Sequence, residues 1–125
     1  KEIERMSARL VELEIQTLTP ESVGGVGLVV QRIDLPQKEL AAIAASVAEK
    51  GGIALLAGAG ESVRVVLASG DKRVNAGEII GQVCGLLGGK GGGKPSLAQG
   101  GGPDAGQIDL ALNVGRERIL AAING

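Results

Sequence analysis

The sequence predicts an α/β domain: a small mixed sheet of about three to four strands with packed helices, preceded by an N-terminal helical extension. Three observations lead there. Short apolar runs at Val26–Ile33, Ile53–Ala57 and Val63–Ala68 are bounded by turn residues, as buried strands are. Between and after them, apolar residues recur at three- and four-residue spacing, the period of a helix with one buried face. The 125 residues contain no Phe, Tyr or Trp. Val, Ile, Leu and Ala must then fill the core, and small side chains suit a flat sheet with helices lying close on it. A chain of this length buries roughly two thirds of its unfolded surface, enough for one domain.

Lys1 to about Leu18 reads as a charged helix with Ile3, Met6, Leu10 and Leu13 on one stripe. That is about two heptads, too short to declare a coiled coil. The chain opens at Lys1, without methionine and inside this pattern, so the expectation is a piece of a longer protein whose connecting or dimerising helix ends here. Thr19-Pro20-Glu21-Ser22 and then Gly24-Gly25 break the helix. Residues 1–22 are assigned to the extension and 23–125 to the globular domain.

Val26–Ile33 is a nearly unbroken apolar run, suited to a strand covered on both faces. Pro36 then sits near a first helical position, and Leu40, Ile43, Ala44, Val47 and Ala48 make the buried face of a helix ended by Gly51-Gly52. The next two strands, Ile53–Ala57 and Val63–Ala68, are joined through Gly58-Ala59-Gly60-Glu61 as a hairpin. Asn75-Ala-Gly-Glu78 has the form of a capping box and opens a helix through Ile79, Ile80, Val83, Leu86 and Leu87. Asp104-Ala-Gly-Gln107 repeats that start, and the last helix runs to about Ile123.

Composition excludes much chemistry. There is no histidine and one cysteine, so an internal disulfide, a Ser–His or Cys–His nucleophile and the usual zinc sets are unavailable. Cys84 lies among Ile80, Val83, Leu86 and Leu87 and reads as a small core residue. Asp34, Asp71, Asp104 and Asp109 each have an ordinary explanation as a strand end, turn, cap or exposed helical residue. No catalytic or metal-binding residue is assigned. No secretory signal or bilayer-length apolar run is present. The net charge is −1, but Asp71–Pro95 holds Lys72, Arg73, Lys90 and Lys94 against Asp71 and Glu78 alone. An anionic partner would meet the chain there.

Between Leu87 and Pro103 the chain is dominated by two glycine runs with Lys90 and Lys94 inside the first. Glycine lets another group come close to the main chain, and exposed N–H groups beside a cation make an anion-binding concavity. A flexible linker fits less well, since an ordered-looking Leu97-Ala98-Gln99 and a capped helix follow. Gly88-x-x-x-x-Gly93-Lys94 matches a P-loop until Pro95, which stands where the magnesium-binding Ser or Thr belongs, and the segment follows a helix instead of a strand. Gly58-Ala59-Gly60 is a turn, since Val63 occupies the third-glycine position of a dinucleotide fingerprint.

VNAGEIIGQVCGLLGGKGGGKPSLAQGGG, from Val74 to Gly102, closely resembles the DHH-associated domain family, in the form that ends alanyl-tRNA synthetases. The shared marks are the valine-x-alanine-glycine-glutamate start, GGKGGG, a basic residue with proline, and alanine-glutamine before a second glycine run. The resemblance reaches, more weakly, from about Val26 to Ile123. It implies a non-catalytic tRNA-binding C-terminal domain that contacts the outer corner of alanine tRNA. Such a domain helps bring the aminoacylation and editing centres onto one tRNA, and supports dimerisation through the preceding helix. The parent ligase would use ATP, magnesium and zinc outside this chain, in the cytoplasm, with no membrane partner. The phosphodiesterase branch of the family carries histidine after its glycine triplet; here Lys94 follows Gly91-Gly92-Gly93. The alternatives are the substrate-binding half of a DHH-type oligonucleotide or cyclic-dinucleotide phosphodiesterase, and a purely structural dimerisation module.

The residues assigned to RNA are Lys72, Arg73, Lys90 and Lys94 as phosphate contacts. Gly91, Gly92, Gly93, Gly100 and Gly101 are assigned as a close-approach surface, and Gln99 as a contact to a sugar or base edge. With no aromatic side chain for stacking, contact has to come from backbone, cations and apolar surface, which suits RNA shape over sequence.

Overall fold

The computed structural model describes residues 21–60 and 62–124; the helix expected over Lys1–Leu18 lies outside them. The strands are β1 (Glu21–Val23), β2 (Val26–Arg32), β3 (Ile53–Ala59), β4 (Val63–Ser69), β5 (Lys90–Gly93) and β6 (Leu97–Gly102). The helices are α1 (Gln37–Glu49), α2 (Ala76–Leu86) and α3 (Ile108–Asn124). One mixed sheet in the order β1-β2-β3-β4-β6-β5 carries α1 on one face and α2 with α3 on the other. The β2–β3 pair is parallel and joined by α1, while every other neighbour is antiparallel.

Alternation along the strands splits the core in two. Val29, Ala54, Leu56, Val66 and Ala68 meet Leu40, Ile43 and Ala44 of α1. Leu28, Ile53, Leu55, Val63, Val65 and Leu67 meet Ile80, Val83 and Cys84 of α2 and Ile108, Ala111 and Ile119 of α3. Val47 and Ala48, expected in the buried face of α1, are only partly covered. Gly115, which the periodicity did not mark, lets α3 descend onto Leu55 and Val83.

Helix ends follow the sequence signals where a backbone conformation decides them. Gly51 (φ +82) and Gly88 (φ +76) sit just past α1 and α2. Gly51 and Gly52 N–H donate to Ala48 and Val47 C=O, and Gly88 and Gly89 N–H to Gly85 and Cys84 C=O, the paired bonds of a Schellman motif. Asn75 Oδ1 accepts from Glu78 N–H at 3.3 Å, capping α2. Asp104 makes no such side-chain bond: a single 3₁₀ turn, Ala105–Gln107, precedes α3, and Gln107 N–H donates to Asp104 C=O.

The sheet has six strands, not three to four. Its additions lie in the expected turn and loop regions. β1 and β2 form a short hairpin around Gly24 (φ 55) and Gly25 (φ 82), the two positive-φ residues of a type I′ turn. β1 starts at Glu21, inside the last two residues assigned to the extension. The glycine segment read as a loop is the β5–β6 hairpin, laid antiparallel on β4. Glycine has poor strand propensity and no side chain to show a two-residue period, so the pattern was invisible. The neighbouring strands supply what the side chains lack, a continuous ladder of backbone hydrogen bonds.

Candidate nucleic-acid interface

Cross-strand register sorts the assigned residues by face. β6 pairs with β4 through Arg64↔Gly101, Val66↔Gln99 and Ala68↔Leu97, and with β5 through Lys90↔Gly101 and Gly92↔Gln99. Lys94 and Leu97 exchange backbone bonds of 2.9 and 3.3 Å across Pro95-Ser96 and close the hairpin. Directly opposed residues share a face. Lys90, Gly92, Lys94, Leu97, Gln99 and Gly101 therefore all lie on the α1 side of the sheet. Val66 and Ala68 on β4 are buried beneath α1, whereas Lys90, Gly92, Lys94, Leu97 and Gln99 are exposed. Among the described residues the helix covers the middle of this face and leaves its β6–β5 end bare: a glycine floor, the Leu97 side chain, one amide side chain and two ammonium groups.

The other face explains the remaining glycines. Gly91 and Gly100 oppose each other under α2. A Cβ at Gly91 would lie 2.7 Å from Cys84 Sγ, and one at Gly100 would lie 2.8 Å from it and 2.5 Å from Gly91 Cα. A Cβ at Gly93 would lie 2.6 Å from Leu97 C=O and 2.7 Å from Ala98 Cα. These glycines let a helix lie on the hairpin and the hairpin lie flat. Gly92 differs, since a Cβ there would meet nothing within 4 Å; its missing side chain is not required by the chain's own packing. Because β6 is paired on both sides, its amides belong to the ladders. The second glycine run therefore presents a flat surface here, while β5, at the edge of the sheet, is paired on one side only.

The four assigned cations separate. Lys90 and Lys94 share the bare face. Lys72 lines a cleft of about 300 Å³ with Ser69, Asp71, Asn75 and Ser96, below the hairpin turn. That cleft is anchored by Ala76 N–H donating to Pro95 C=O at 2.9 Å, which ties the start of α2 to the turn. Arg73 is not brought to them. Its Nε and Nη2 donate to the two oxygens of Asp71 at 2.9 and 2.8 Å. The same guanidinium reaches Gly24 and Ile123 C=O at 3.4 Å, joining the β1–β2 turn to the end of α3. Hydrogen bonds from Arg73 hold the Asp71 carboxyl down to about 2, and Asp71 raises the guanidinium in return.

Two further arginines are paired in the same way: Arg32 bonds Asp34, and Arg116 bonds Glu21 across the edge of the sheet. Arg64 departs from this. Its Nε is shielded from solvent and has no hydrogen-bond partner among the described residues. No assignment included it; the signal was a lone cation alternating with Val63, Val65 and Val66 in a central strand. Cys84 is fully buried, and burial pushes its thiol up. Among the described residues no three His, Cys, Asp or Glu side chains gather as a metal set, and no helix is long and apolar enough to cross a membrane.

The chain as a whole is similar to several known proteins. The DHHA1 domain model matches residues 25–120. The chain is 71% identical over 123 residues to an alanine–tRNA ligase of Methanoregula boonei, covering 98% of this chain and 14% of that protein. It is 53% identical over 125 residues to that of Methanoculleus marisnigri, again 14% of its length. It thus spans about one seventh of these relatives. Among solved structures it is similar to the C-Ala domain of Aquifex aeolicus alanyl-tRNA synthetase, with a TM-score of 0.70 and 27% identity, covering 86% of this chain and 100% of that one. A pGpG-specific phosphodiesterase from Vibrio shares the fold at a TM-score of 0.56 and 18% identity, covering 98% of this chain and 41% of that one.

Proposed function

This chain belongs to the DHHA1 domain family, and from that premise we propose that it is the C-terminal domain of an alanyl-tRNA synthetase and holds tRNA by the bare β6–β5 face. The observation that carries the reading is the coincidence at that face. Lys90 and Lys94 flank a floor of Gly92 and Gly101 with Gln99 between them, and at Gly92 the fold leaves open the space a side chain would take. Ammonium groups neutralise phosphates, and a flat backbone floor admits the curved surface of folded RNA without reading its sequence. The names of the relatives supply the RNA: they are alanine–tRNA ligases. The rival reading, the substrate-binding half of a phosphodiesterase, expects histidine where Lys94 stands.

In this proposal the domain performs no covalent step. It contacts the outer corner of alanine tRNA so that aminoacylation and editing centres elsewhere in the parent enzyme serve one bound molecule. ATP, magnesium and zinc would belong to those other parts, and dimerisation would rest on the Lys1–Leu18 segment.

Binding of alanine tRNA, compared with a hairpin lacking the elbow, tests the assignment in the chain and in Lys90→Ala/Lys94→Ala. The intact tRNA binds more tightly, and the double variant flattens the plot of log K against log salt by about 1.5, two phosphate contacts. Gly92→Ala weakens binding while leaving the melting temperature in place. Equal affinity for the two RNAs overturns the elbow contact, and an unchanged salt slope overturns the face.

A further inference from the structure

Three of the described arginines are committed to carboxylates and Arg118 is exposed on α3; the remaining one, Arg64, lies beside the proposed RNA face. It is on β4, in the middle of the sheet and on the same face as Lys90, Gly92 and Gln99. Both of its cross-strand neighbours are glycine, Gly58 on β3 and Gly101 on β6. Beyond Gly101, directly opposite it on β5, stands Lys90. With strands about 4.8 Å apart, the two cationic residues are about 10 Å apart at the backbone, with a residue lacking a side chain between them. Both side chains are long enough to span that gap.

The state of the guanidinium is what sets it apart. It lies against Gly60 in the β3–β4 turn, where a methyl group would strike Nη2. Its Nε is buried and makes no hydrogen bond to any described residue. Asp34, a carboxylate that senses its charge, makes its recorded hydrogen bonds elsewhere: Oδ1 accepts from Ala59 N–H at 3.0 Å and from Arg32 Nε at 3.1 Å. A desolvated guanidinium donor left without an acceptor is unfavourable. A doubly oxygenated anion satisfies it once the side chain turns outward from Gly60, in the forked geometry that favours arginine over lysine at phosphates.

We propose that Arg64 is a phosphate-binding residue of the RNA face, pairing with Lys90 across Gly101 to hold one phosphodiester and extending the face from the sheet edge to its centre. This rests on the RNA-binding reading above and adds to it a residue and a ligand atom. It accounts for three otherwise separate facts: a cation in a central strand, glycine on either side of it, and an arginine Nε with no hydrogen-bond partner among the described residues.

Salt titration of alanine tRNA binding to the whole chain distinguishes this from a packing contribution. Arg64→Met keeps an unbranched hydrocarbon stem on β4 and removes the charge, Arg64→Lys keeps the charge and removes the fork, and Lys90→Ala serves as reference. Arg64→Met is expected to bind about tenfold more weakly, with the log–log salt slope shallower by about 0.7–0.9, one phosphate. Arg64→Lys keeps the slope but not the full affinity, and the melting temperature of both stays near that of the parent chain. If Arg64→Met keeps the parent slope while Lys90→Ala flattens it, the Arg64 assignment is overturned and the RNA face stands. The Arg64 assignment fails equally if Arg64→Met weakens binding at every salt concentration with an unchanged slope. If the parent chain itself shows no salt-dependent binding of tRNA, both fall together.

Discussion

β3 reads IALLAGA and is buried at six of its seven positions; β5, at the far edge of the same sheet, reads KGGG and buries none. The first is a strand because its side chains have two cores to fill, one under α1 and one under α2 and α3. The second is a strand because β6 offers it a ladder and because the absence of side chains lets α2 settle on it, with Cys84 Sγ over Gly91 and Gly100. Apolar burial drives the middle of the sheet, and close backbone approach permits its edge. The filled middle is covered by helices on both faces, whereas the edge keeps one face flat and cationic.

Changes in either region separate the two mechanisms. The largest effect is expected in the filled middle: Leu56→Ala, at a fully buried position against α1, should lower the unfolding free energy by about 2–5 kcal/mol. Chemical denaturation measures it, and a loss below about 1 kcal/mol would mean the α1 core is not what holds β3. Next is the addition of one methyl group at the edge. Gly91→Ala should cost about 1–3 kcal/mol by overpacking against Cys84, and Cys84→Ala should recover most of it, since Sγ is the atom in the way. Strict additivity of the two changes would show that Gly91 is glycine for another reason.

The smallest effect lies outside both regions, at the Asp71–Arg73 pair. Asp71's carboxyl is lowered from 3.8 to about 2 in the folded chain, so the pair stabilises the fold above the ordinary carboxylate range. That contribution is lost as pH falls through about 2. Asp71→Asn should melt slightly lower than the parent at pH 7, and the two melting curves should converge between pH 4 and 2. A gap that persists in acid would assign the stabilisation to the Asp71 backbone turn instead of its charge.

Much of this was legible in the chain. Apolar runs located β2, β3 and β4, the helical period located all three described helices, and Asn75, Gly51 and Gly88 marked ends that local backbone geometry alone decides. Lys90, Lys94 and Gln99 could be assigned to one surface because they share a segment of unusual composition. Arg73 shows where such reasoning stops: two residues from Asp71 and next to Lys72 in sequence, it is turned to Asp71 and to the carbonyls of Gly24 and Ile123, the latter two about 50 positions away. Arg64 was missed for the converse reason, since only pairing with β6 brings it level with Gly101 and Lys90.

Local signals in the sequence determined the kinds of element, their order and the fact that cations accompany glycine, because propensity, period and capping act over a few residues. Only the tertiary structure decided that the glycine segment is two strands, which glycines serve α2 and which face outward, and which arginine Nε finds no partner among the described residues. Those outcomes depend on cross-strand register and on which helix covers which face. A residue without a side chain records neither in the sequence around it.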